Sequence, residues 1–249
     1  MALTRRAKNE IAHGEVLAQV DTEAVWGWGT PAGRLRAERR ARLIAENAGL
    51  RPGMRVLEIG CGTGMFTEMF ARTGAQIVAV DISEALLEKA RMRNLPAAQV
   101  QFLAKRFEDC DVEGPFDAVI GSSVLHHLDI EAALAKIYQL LKSGGWISFA
   151  EPNMLNPQVF LERKLAFIRP LFWYVSLDET AYVRWSLHTL LESVGFREVH
   201  LKPFDWLHPA VPPPLITLVG HVGRWLEATP GLREFSGSLL ICGRRSPSK

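Results

Sequence analysis

Between Arg55 and Phe149, short apolar runs alternate with longer amphipathic segments, and no other feature constrains the fold as strongly. The apolar runs predict β-strands at RVLEIG (55–60), AQIVAV (75–80), AQVQFL (98–103), FDAVIG (116–121) and WISFA (146–150). Apolar residues recur at helical spacing in TGMFTEMFARTG (63–74), SEALLEKARMRN (83–94) and IEAALAKIYQLLKSGG (130–145). Because strands that alternate with helices are usually parallel and joined by crossovers, the sequence predicts a doubly wound α/β sheet.

The C-terminal part of the chain is less regular. SLHTLLESVGF (186–196) predicts a helix, and REVHLKPF (197–204) and GSLLICGRR (237–245) predict two closing strands. Two further segments, 156–180 and 205–231, are rich in aromatic and apolar residues. They form either ordinary core or a cover over a hydrophobic ligand, and an apolar surface of this kind also suits docking at a membrane.

Composition favours a soluble protein and argues against several other classes of protein. A formal net charge of +2 over 249 residues gives no overall field that would attract nucleic acid. Cys61, Cys110 and Cys242 are far apart and odd in number, so neither a disulfide framework nor a metal site is predicted. The start MALTRRAKNE lacks the apolar centre of a signal peptide, and no apolar run approaches the roughly 20 residues of a membrane span. We therefore expect a cytoplasmic protein.

The glycine turn GCGTG (60–64) directly follows the first predicted strand. Glycines there permit positive φ and let a ligand approach the backbone, while the next helix directs its free N–H groups to the same place. A phosphate-binding P-loop would end in Gly-Lys-Ser/Thr, but this turn continues Gly64-Met65-Phe66. The dinucleotide fingerprint GxGxxG fails as well, because its third glycine is absent.

Two acidic residues indicate what the turn holds instead. Asp81 ends the second strand, where a carboxylate can accept both hydroxyls of a ribose. Glu58 precedes the turn within the first strand, where it would repel a phosphate and suit an ammonium group. The pattern therefore favours a nucleoside that carries no pyrophosphate.

Four ordered motifs resemble those of the class I S-adenosylmethionine-dependent methyltransferases: VLEIGCGTG (56–64), VAVDIS (78–83), FDAVIGSSVLHHL (116–128) and LLKSGGWISFAEP (140–152). The resemblance implies a Rossmann-like, mostly parallel seven-stranded sheet with an antiparallel last strand. It also implies S-adenosylmethionine as cofactor and S-adenosylhomocysteine as product. We expect one domain over 1–249: a helical lid (1–50), a cofactor-binding core (51–152), substrate-cap insertions (153–185 and 205–235), and a closing helix and strands (186–204 and 236–245).

The resemblance also implies roles for individual residues. Glu58 would lie near the methionine ammonium, Asp81 would bind the ribose, and Ile82 would contact the adenine. The turn under the methionine and ribose would be formed by Gly60, Cys61, Gly62, Thr63 and Gly64. Ser122, just after the fourth strand, would approach the methionine end of the cofactor. One departure concerns the adenine: Arg106 and Phe107 stand where the family usually has Asp or Asn and a small residue. Arg106 could stack on the ring, with an acceptor supplied by Glu108 or Asp109.

Several other residues admit a functional and a structural interpretation. His126 or His127 could act as general base on the acceptor, or either could be a helix-entry residue that packs on the sheet. Trp26, Trp28 and Arg36 could line a lid over the cofactor, or the same helix could simply pack on the sheet. The arginine run 33–42 is expected to form a solvated helix face rather than a nucleic-acid site, since no aromatic residues are interleaved.

The sequence thus predicts in-line methyl transfer to a small hydrophobic or lipid-like acceptor, with possible docking at a membrane surface. Nucleic-acid bases are disfavoured as acceptors, because GSSV follows the fourth strand in place of the [D/N]PP[Y/F] motif. Two alternatives stay open: a nicotinamide-dependent oxidoreductase on the same type of sheet, and a non-catalytic domain that binds a partner or a membrane. The oligomeric state is not predicted.

Overall fold

The computed structural model describes residues 4–164 and 180–247. Most of the predicted aromatic segment 156–180, including Arg169 and Pro170, lies outside the described residues. Within the described residues, no helix is long and apolar enough to cross a bilayer.

The described chain forms a seven-stranded sheet in the order β3-β2-β1-β4-β5-β7-β6. Its strands are β1 (Arg55–Ile59), β2 (Gln76–Asp81), β3 (Val100–Ala104), β4 (Phe116–Ser122), β5 (Leu141–Pro152), β6 (Phe196–Phe204) and β7 (Ser238–Arg245). The first five strands pair in parallel, and β7 runs antiparallel between β5 and β6. The predicted fold class is confirmed. The strand order reverses between β1 and β4, where open α/β sheets place their ligands.

Helices cover both faces of the sheet. They are α1 (Arg5–Ala18), α2 (Thr22–Val25), α3 (Pro31–Ala48), α4 (Met65–Ala71), α5 (Glu84–Arg91), α6 (Ile130–Leu140), α7 (Pro157–Lys164), α8 (Arg184–Val194) and α9 (Ile216–Ala228). Ser83 caps α5, because its hydroxyl accepts the Leu86 N–H at 3.3 Å. Thr30 caps α3 in the same way, with Pro31 in the first turn, where its missing N–H costs nothing.

Strand alternation divides the core into two clusters. Val56 and Leu57 are both fully buried but face opposite sides of the sheet, as neighbours in a strand must. The cluster with Leu57 includes buried residues of α6 and α8, and the cluster with Val56 includes those of α3, α4 and α5. This two-sided packing holds the carboxyl ends of β1, β2 and β4 at one rigid edge.

Two predicted helix ends are wrong. The helix predicted over 130–145 ends at Leu140, because Leu141 pairs with Phe116 and begins β5. A register shift between Phe116 and Ala118 accommodates this longer strand. The helix predicted to reach Phe196 ends before Gly195, whose φ of +114° favours glycine and stops the helix, so that Phe196 opens β6 instead.

The arginine run on α3 is only in part the solvated face that its sequence predicts. Arg42 is exposed, but Arg40 is only 3 % exposed. Arg36 and Arg39 form ion pairs with carboxylates of later segments, Asp205 and Glu227. The reason is that α3 lies between the sheet and the segment after β6, which covers one side of the run.

Candidate active site

A cavity of about 1130 Å³ opens at the carboxyl edge of the sheet. Its floor is the glycine turn with the ends of β2 and β4, and its cover comes from α1, α2, α3 and the loop 205–210. Single-ligand pockets typically measure about 300–1,000 Å³. The cavity therefore lies slightly above the upper end of that range.

The glycine turn lies close beneath this cavity. Gly60, Gly62 and Gly64 have φ of +67°, +51° and +73°, a region that other residues rarely adopt. Gly60, Cys61, Gly62 and Thr63 line the cavity, but Gly64 does not. A Cβ on Gly64 would lie 2.9 Å from the Ala90 Cβ, so this glycine is needed for the close approach of α5.

Asp81 binds the turn through both carboxylate oxygens. The Gly62 N–H donates to Oδ2 at 2.8 Å, and the Ser83 N–H donates to Oδ1 at 2.9 Å. Burial raises the pKa of Asp81, and these two N–H donors oppose that rise. Each carboxylate oxygen has a second lone pair for a ligand. Because Asp81 also lines the cavity, it is placed to accept two neighbouring hydroxyls.

Glu58 lies behind the turn rather than at the cavity surface. Its side chain is 1 % exposed and does not line the cavity, although the sequence suggested a place near the ligand's ammonium group. Its Oε2 is buried and accepts no hydrogen bond from the described residues. Burial raises the pKa of Glu58 to about 8, opposed by the Thr67 hydroxyl. An unsatisfied oxygen of this carboxyl group suits a ligand with a positive charge above the turn, because such a charge would favour the carboxylate form.

Residues after β2 and β3 line the opposite end of the cavity. Ile82, Arg106 and Phe107 all line it, as does Glu108. The Arg106 guanidinium is engaged locally, by Glu108 at 3.2 Å and by Asp109 at 3.0 Å. Arg106 could therefore stack on a base only in a position that these two ion pairs allow. Glu108 supplies a hydrogen-bond acceptor at the cavity wall.

The N-terminal helices cover the turn. Trp26 lies directly over Gly62, since a Cβ there would be 3.2 Å from the Trp26 Cη2. Trp28 packs edge-on against Phe66, with ring centroids 5.6 Å apart, and the Arg36 guanidinium lies 5.2 Å from the Trp28 ring centroid. All three predicted lid residues, Trp26, Trp28 and Arg36, line the cavity.

Arg40 is a site residue that the sequence interpretation missed. Its Nη1 donates to the Ser122 Oγ at 3.2 Å and to the Ser123 Oγ at 2.9 Å, and its Nη2 donates to Ser238. Burial lowers the pKa of Arg40 to about 10, and the carboxylates of Asp205 and Glu151 oppose that shift only in part. A buried cation in the cavity wall, held by three hydroxyls, suits a ligand carboxylate. The sequence signal was the arginine run itself.

His126 and Glu151 form a buried pair beside the cavity. The His126 Nδ1 lies 2.6 Å from the Glu151 Oε2, while the other carboxylate oxygen accepts the Val124 and Leu125 N–H groups at 2.9 Å each. Burial disfavours the carboxylate, but His126 and the two N–H donors hold the pKa of Glu151 below its usual range. Of the two residues only His126 lines the cavity, so Glu151 positions the ring from behind the cavity wall.

His127 has a different environment. It also lines the cavity, but its Nδ1 lies 3.0 Å from the Glu10 Oε2 of α1. Arg6 of the same helix donates to the His126 carbonyl at 2.6 Å. The two histidines are therefore distinct: a buried carboxylate orients one of them, and the other contacts the lid.

The loop after β6 forms the remaining wall. Asp205, with φ of +80°, accepts the Arg36 Nε at 3.1 and 2.9 Å, and its own N–H donates to the Glu227 Oε1 at 2.8 Å. The Thr30 hydroxyl donates to the Pro209 carbonyl at 2.8 Å. These contacts hold the loop against the lid. The part of the loop that lines the cavity is mostly apolar and consists of Trp206, Leu207, His208, Pro209 and Ala210.

Among residues 4–164 and 180–247, no three His, Cys, Asp or Glu side chains are grouped as a metal site. A glycine turn with a carboxylate at the next strand end, beside a cavity at the point where the strand order reverses, is the arrangement in which doubly wound sheets bind nucleosides.

Comparison with known proteins specifies the family. Residues 56–145 match a family described as "Methyltransferase domain". An uncharacterized methyltransferase of Synechocystis sp. is 33 % identical over 170 residues, which cover 65 % of this chain and 76 % of that protein. The chain belongs to the class I S-adenosylmethionine-dependent methyltransferases. The cofactor predicted from the sequence is confirmed as that of the family, and the nicotinamide alternative is not retained.

Two other proteins are similar to parts of the sequence or to the fold. The ubiquinone biosynthesis O-methyltransferase of Xanthomonas axonopodis pv. citri is 38 % identical over 133 residues, or 51 % of this chain. Those residues span only 56 % of that relative, so the chain matches about half the length of such relatives. The N-methyltransferase NodS of Bradyrhizobium japonicum, solved with S-adenosylhomocysteine, has a TM-score of 0.63 over 95 % of this chain and 98 % of that chain. At 18 % identity, this likeness concerns the fold alone.

Proposed function

We propose that the protein transfers a methyl group from S-adenosylmethionine to a hydroxyl of a small, hydrophobic or lipid-like acceptor. The observation that carries the proposal is the pair of His126 and Glu151, which lies at the same cavity as Asp81 and the glycine turn. A histidine oriented by a buried carboxylate is suited to take a proton from an acceptor hydroxyl.

The cofactor supplies a methyl group that is already activated, so the protein needs mainly to bind and to align. Asp81 would hold the ribose hydroxyls, and Arg40 would hold the carboxylate of the methionine part. The unsatisfied Glu58 oxygen under the turn would favour its ammonium group. Trp26 and the other lid residues would exclude water, which protects the electrophile and favours an in-line approach of the acceptor.

Two observations support the class of acceptor. The cavity wall at 206–210 is mostly apolar, which suits a hydrophobic molecule. The Xanthomonas relative is an O-methyltransferase of ubiquinone biosynthesis by name, and this supports oxygen as the nucleophile. A hydroxyl must lose its proton on methylation, and the His126 Nε2 would accept it. We place this reaction in the cytoplasm, with access to a membrane surface for apolar acceptors.

The proposal is tested with radiolabelled S-adenosylmethionine and matched acceptors: a catechol with an alkyl chain, the bare catechol, and the corresponding alkyl amine. We expect a methyl ether from the alkyl catechol, slower reaction of the bare catechol, and little product from the amine. Preferred methylation of the amine would overturn the oxygen assignment. Binding of S-adenosylhomocysteine without turnover of any acceptor by wild type would favour the non-catalytic alternative.

A further inference from the structure

Helix α9 carries an apolar stripe on its outer side, which we call the α9 stripe. It consists of Leu215, Leu218, Val222 and Trp225, which are 47, 61, 47 and 62 % exposed. Their spacing of three or four residues places them on one face of the helix. Four large apolar side chains in a row are uncommon on the surface of a soluble monomer.

The opposite face of α9 holds the helix to the protein. Glu227 is buried and accepts Arg39 Nη1 at 2.8 Å and the Asp205 N–H at 2.8 Å. Gly223 lies so close to the cavity-wall residue Trp206 that a Cβ there would be 3.0 Å from the Trp206 Cβ. The α9 stripe is therefore not the packing face of the helix, and a bound surface would lie directly behind a wall of the cavity.

The charges around the stripe favour an anionic surface. Glu227 is the only acidic residue from Trp206 to Arg233, and it faces inward in its pair with Arg39. His221 and Arg224 are exposed beside the stripe. A tryptophan next to aliphatic residues and a flanking arginine is the composition of helices that lie in a bilayer interface.

We propose that α9 docks the protein on an anionic lipid bilayer, with the α9 stripe in the headgroup–acyl boundary and Arg224 near the lipid phosphates. A second copy of the chain is the weaker fit. A 13-residue helix offers a single narrow face, whereas each partner of a stable interface contributes about 800 Å². Docking rests on the proposed function only in that it would bring apolar acceptors to the enzyme; the docking surface itself lies outside the cofactor site.

The test is co-sedimentation of the full chain with vesicles of phosphatidylcholine alone or mixed with phosphatidylglycerol. We expect binding to the mixed vesicles that weakens with salt. The double variant Leu218→Ser/Trp225→Ser should reduce the partition constant at least about tenfold, because two large apolar groups no longer leave water. Arg224→Gln should weaken binding to the mixed vesicles only. Met92→Ser is the matched control: Met92 is 69 % exposed on another helix end, and its replacement should change nothing.

A spectroscopic readout separates docking from loss of structure. Tryptophan fluorescence of wild type should be quenched by brominated lipids, and Trp225→Phe should lose most of that quenching. Each variant should keep the wild-type affinity for S-adenosylhomocysteine, so that failure of cofactor binding counts against the proposed function and not against docking. Equal sedimentation of wild type and the double variant would overturn the proposal. So would a stable dimer in analytical ultracentrifugation that Leu218→Ser dissociates.

Discussion

The two ends of the cavity are held together in different ways. At the cofactor end, the glycine turn, Asp81 and Ser83 contact one another within a short stretch of chain, through backbone N–H groups. At the cap end, α3 contacts residues far along the chain: Arg36 reaches Asp205, 169 positions away, and Arg39 reaches Glu227, 188 positions away. The first end is a local motif, whereas the second is an assembly of distant segments.

This difference separates two kinds of change in such a protein. A substitution at the cofactor end alters the binding of a nucleoside that the whole family shares. A substitution at the cap end alters how the lid and the loop 205–210 meet, and therefore which acceptor is admitted. Four variants test this division, and they follow from the largest expected effect to the smallest.

His126 lies where the two ends meet, so His126→Asn should have the largest effect. Loss of a general base typically lowers kcat by about 10²–10⁴-fold. The affinity for S-adenosylhomocysteine should be unchanged, because His126 is assigned to the acceptor. Initial rates with the alkyl catechol, together with calorimetric titration, measure both quantities.

His127→Asn is the matched control for this experiment. Its side chain contacts Glu10 of the lid rather than a buried carboxylate, and we expect a much smaller loss of kcat. A larger loss in His127→Asn than in His126→Asn would exchange the two assignments. Glu151→Gln should lower kcat without changing the affinity for the cofactor product, as expected of a positioning residue.

Asp81→Asn tests the cofactor end alone. The variant replaces a charged acceptor of two ligand hydroxyls by a neutral amide, and hydrogen bonds to charged groups contribute about 1.5–3 kcal/mol each. We expect the affinity for S-adenosylhomocysteine to fall about 100-fold, which calorimetric titration measures. Asp111→Asn is the control, because the Asp111 side chain is 80 % exposed. Equal affinity of wild type and Asp81→Asn would contradict the ribose contact.

The same division explains what the sequence could predict. The glycine turn, Asp81 and the Ser83 cap depend on neighbours in the chain, so their residue types and spacing were sufficient. The partners of Arg40 lie on β4, β7 and the turn after β4, and nothing in the local sequence distinguishes it from exposed Arg42. Glu58 was placed correctly in its strand, but its depth behind the turn depends on packing that no motif records.

Asp205→Asn tests the cap end. It leaves the Arg36 guanidinium, whose side chain is 16 % exposed, without its carboxylate. Breaking one partner of a buried pair costs about 3–5 kcal/mol, and the partial exposure of Arg36 reduces this to about 2 kcal/mol. Denaturant unfolding should show that loss, and KM for the acceptor should rise while the affinity for S-adenosylhomocysteine is kept.

The surface pair on the same helix provides the comparison for Asp205→Asn. Arg42 and Glu46 lie 3.5 Å apart with side chains 63 and 57 % exposed, so Glu46→Gln should cost less than about 0.5 kcal/mol. Equal losses of stability in both variants would contradict the separation of the two ends of the cavity. So would an Asp205→Asn variant whose affinity for S-adenosylhomocysteine falls as much as its affinity for the acceptor.

Glu58→Gln should have the smallest effect on catalysis, because the change that it causes lies in the pH dependence of stability. The pKa of Glu58 is about 8 in the fold, above its ordinary value of 4.5, so the fold favours the protonated carboxyl. Its contribution to stability is full below pH 4.5 and is lost as the pH rises through about 8. In that window the wild-type melting temperature should fall by about 3 °C per pH unit relative to Glu58→Gln, measured by calorimetry without ligand.

Bound S-adenosylhomocysteine should remove this difference between wild type and Glu58→Gln in the pH dependence of the melting temperature. A bound ammonium group above the turn favours the charged carboxylate, so S-adenosylhomocysteine should stabilise wild type more at pH 8 than at pH 5 and should release protons on binding. The Glu58→Gln variant should show neither effect, because its amide carries no ionisable proton. Parallel melting curves for wild type and variant, with and without S-adenosylhomocysteine, would mean that the Glu58 carboxylate does not respond to the ligand above the turn.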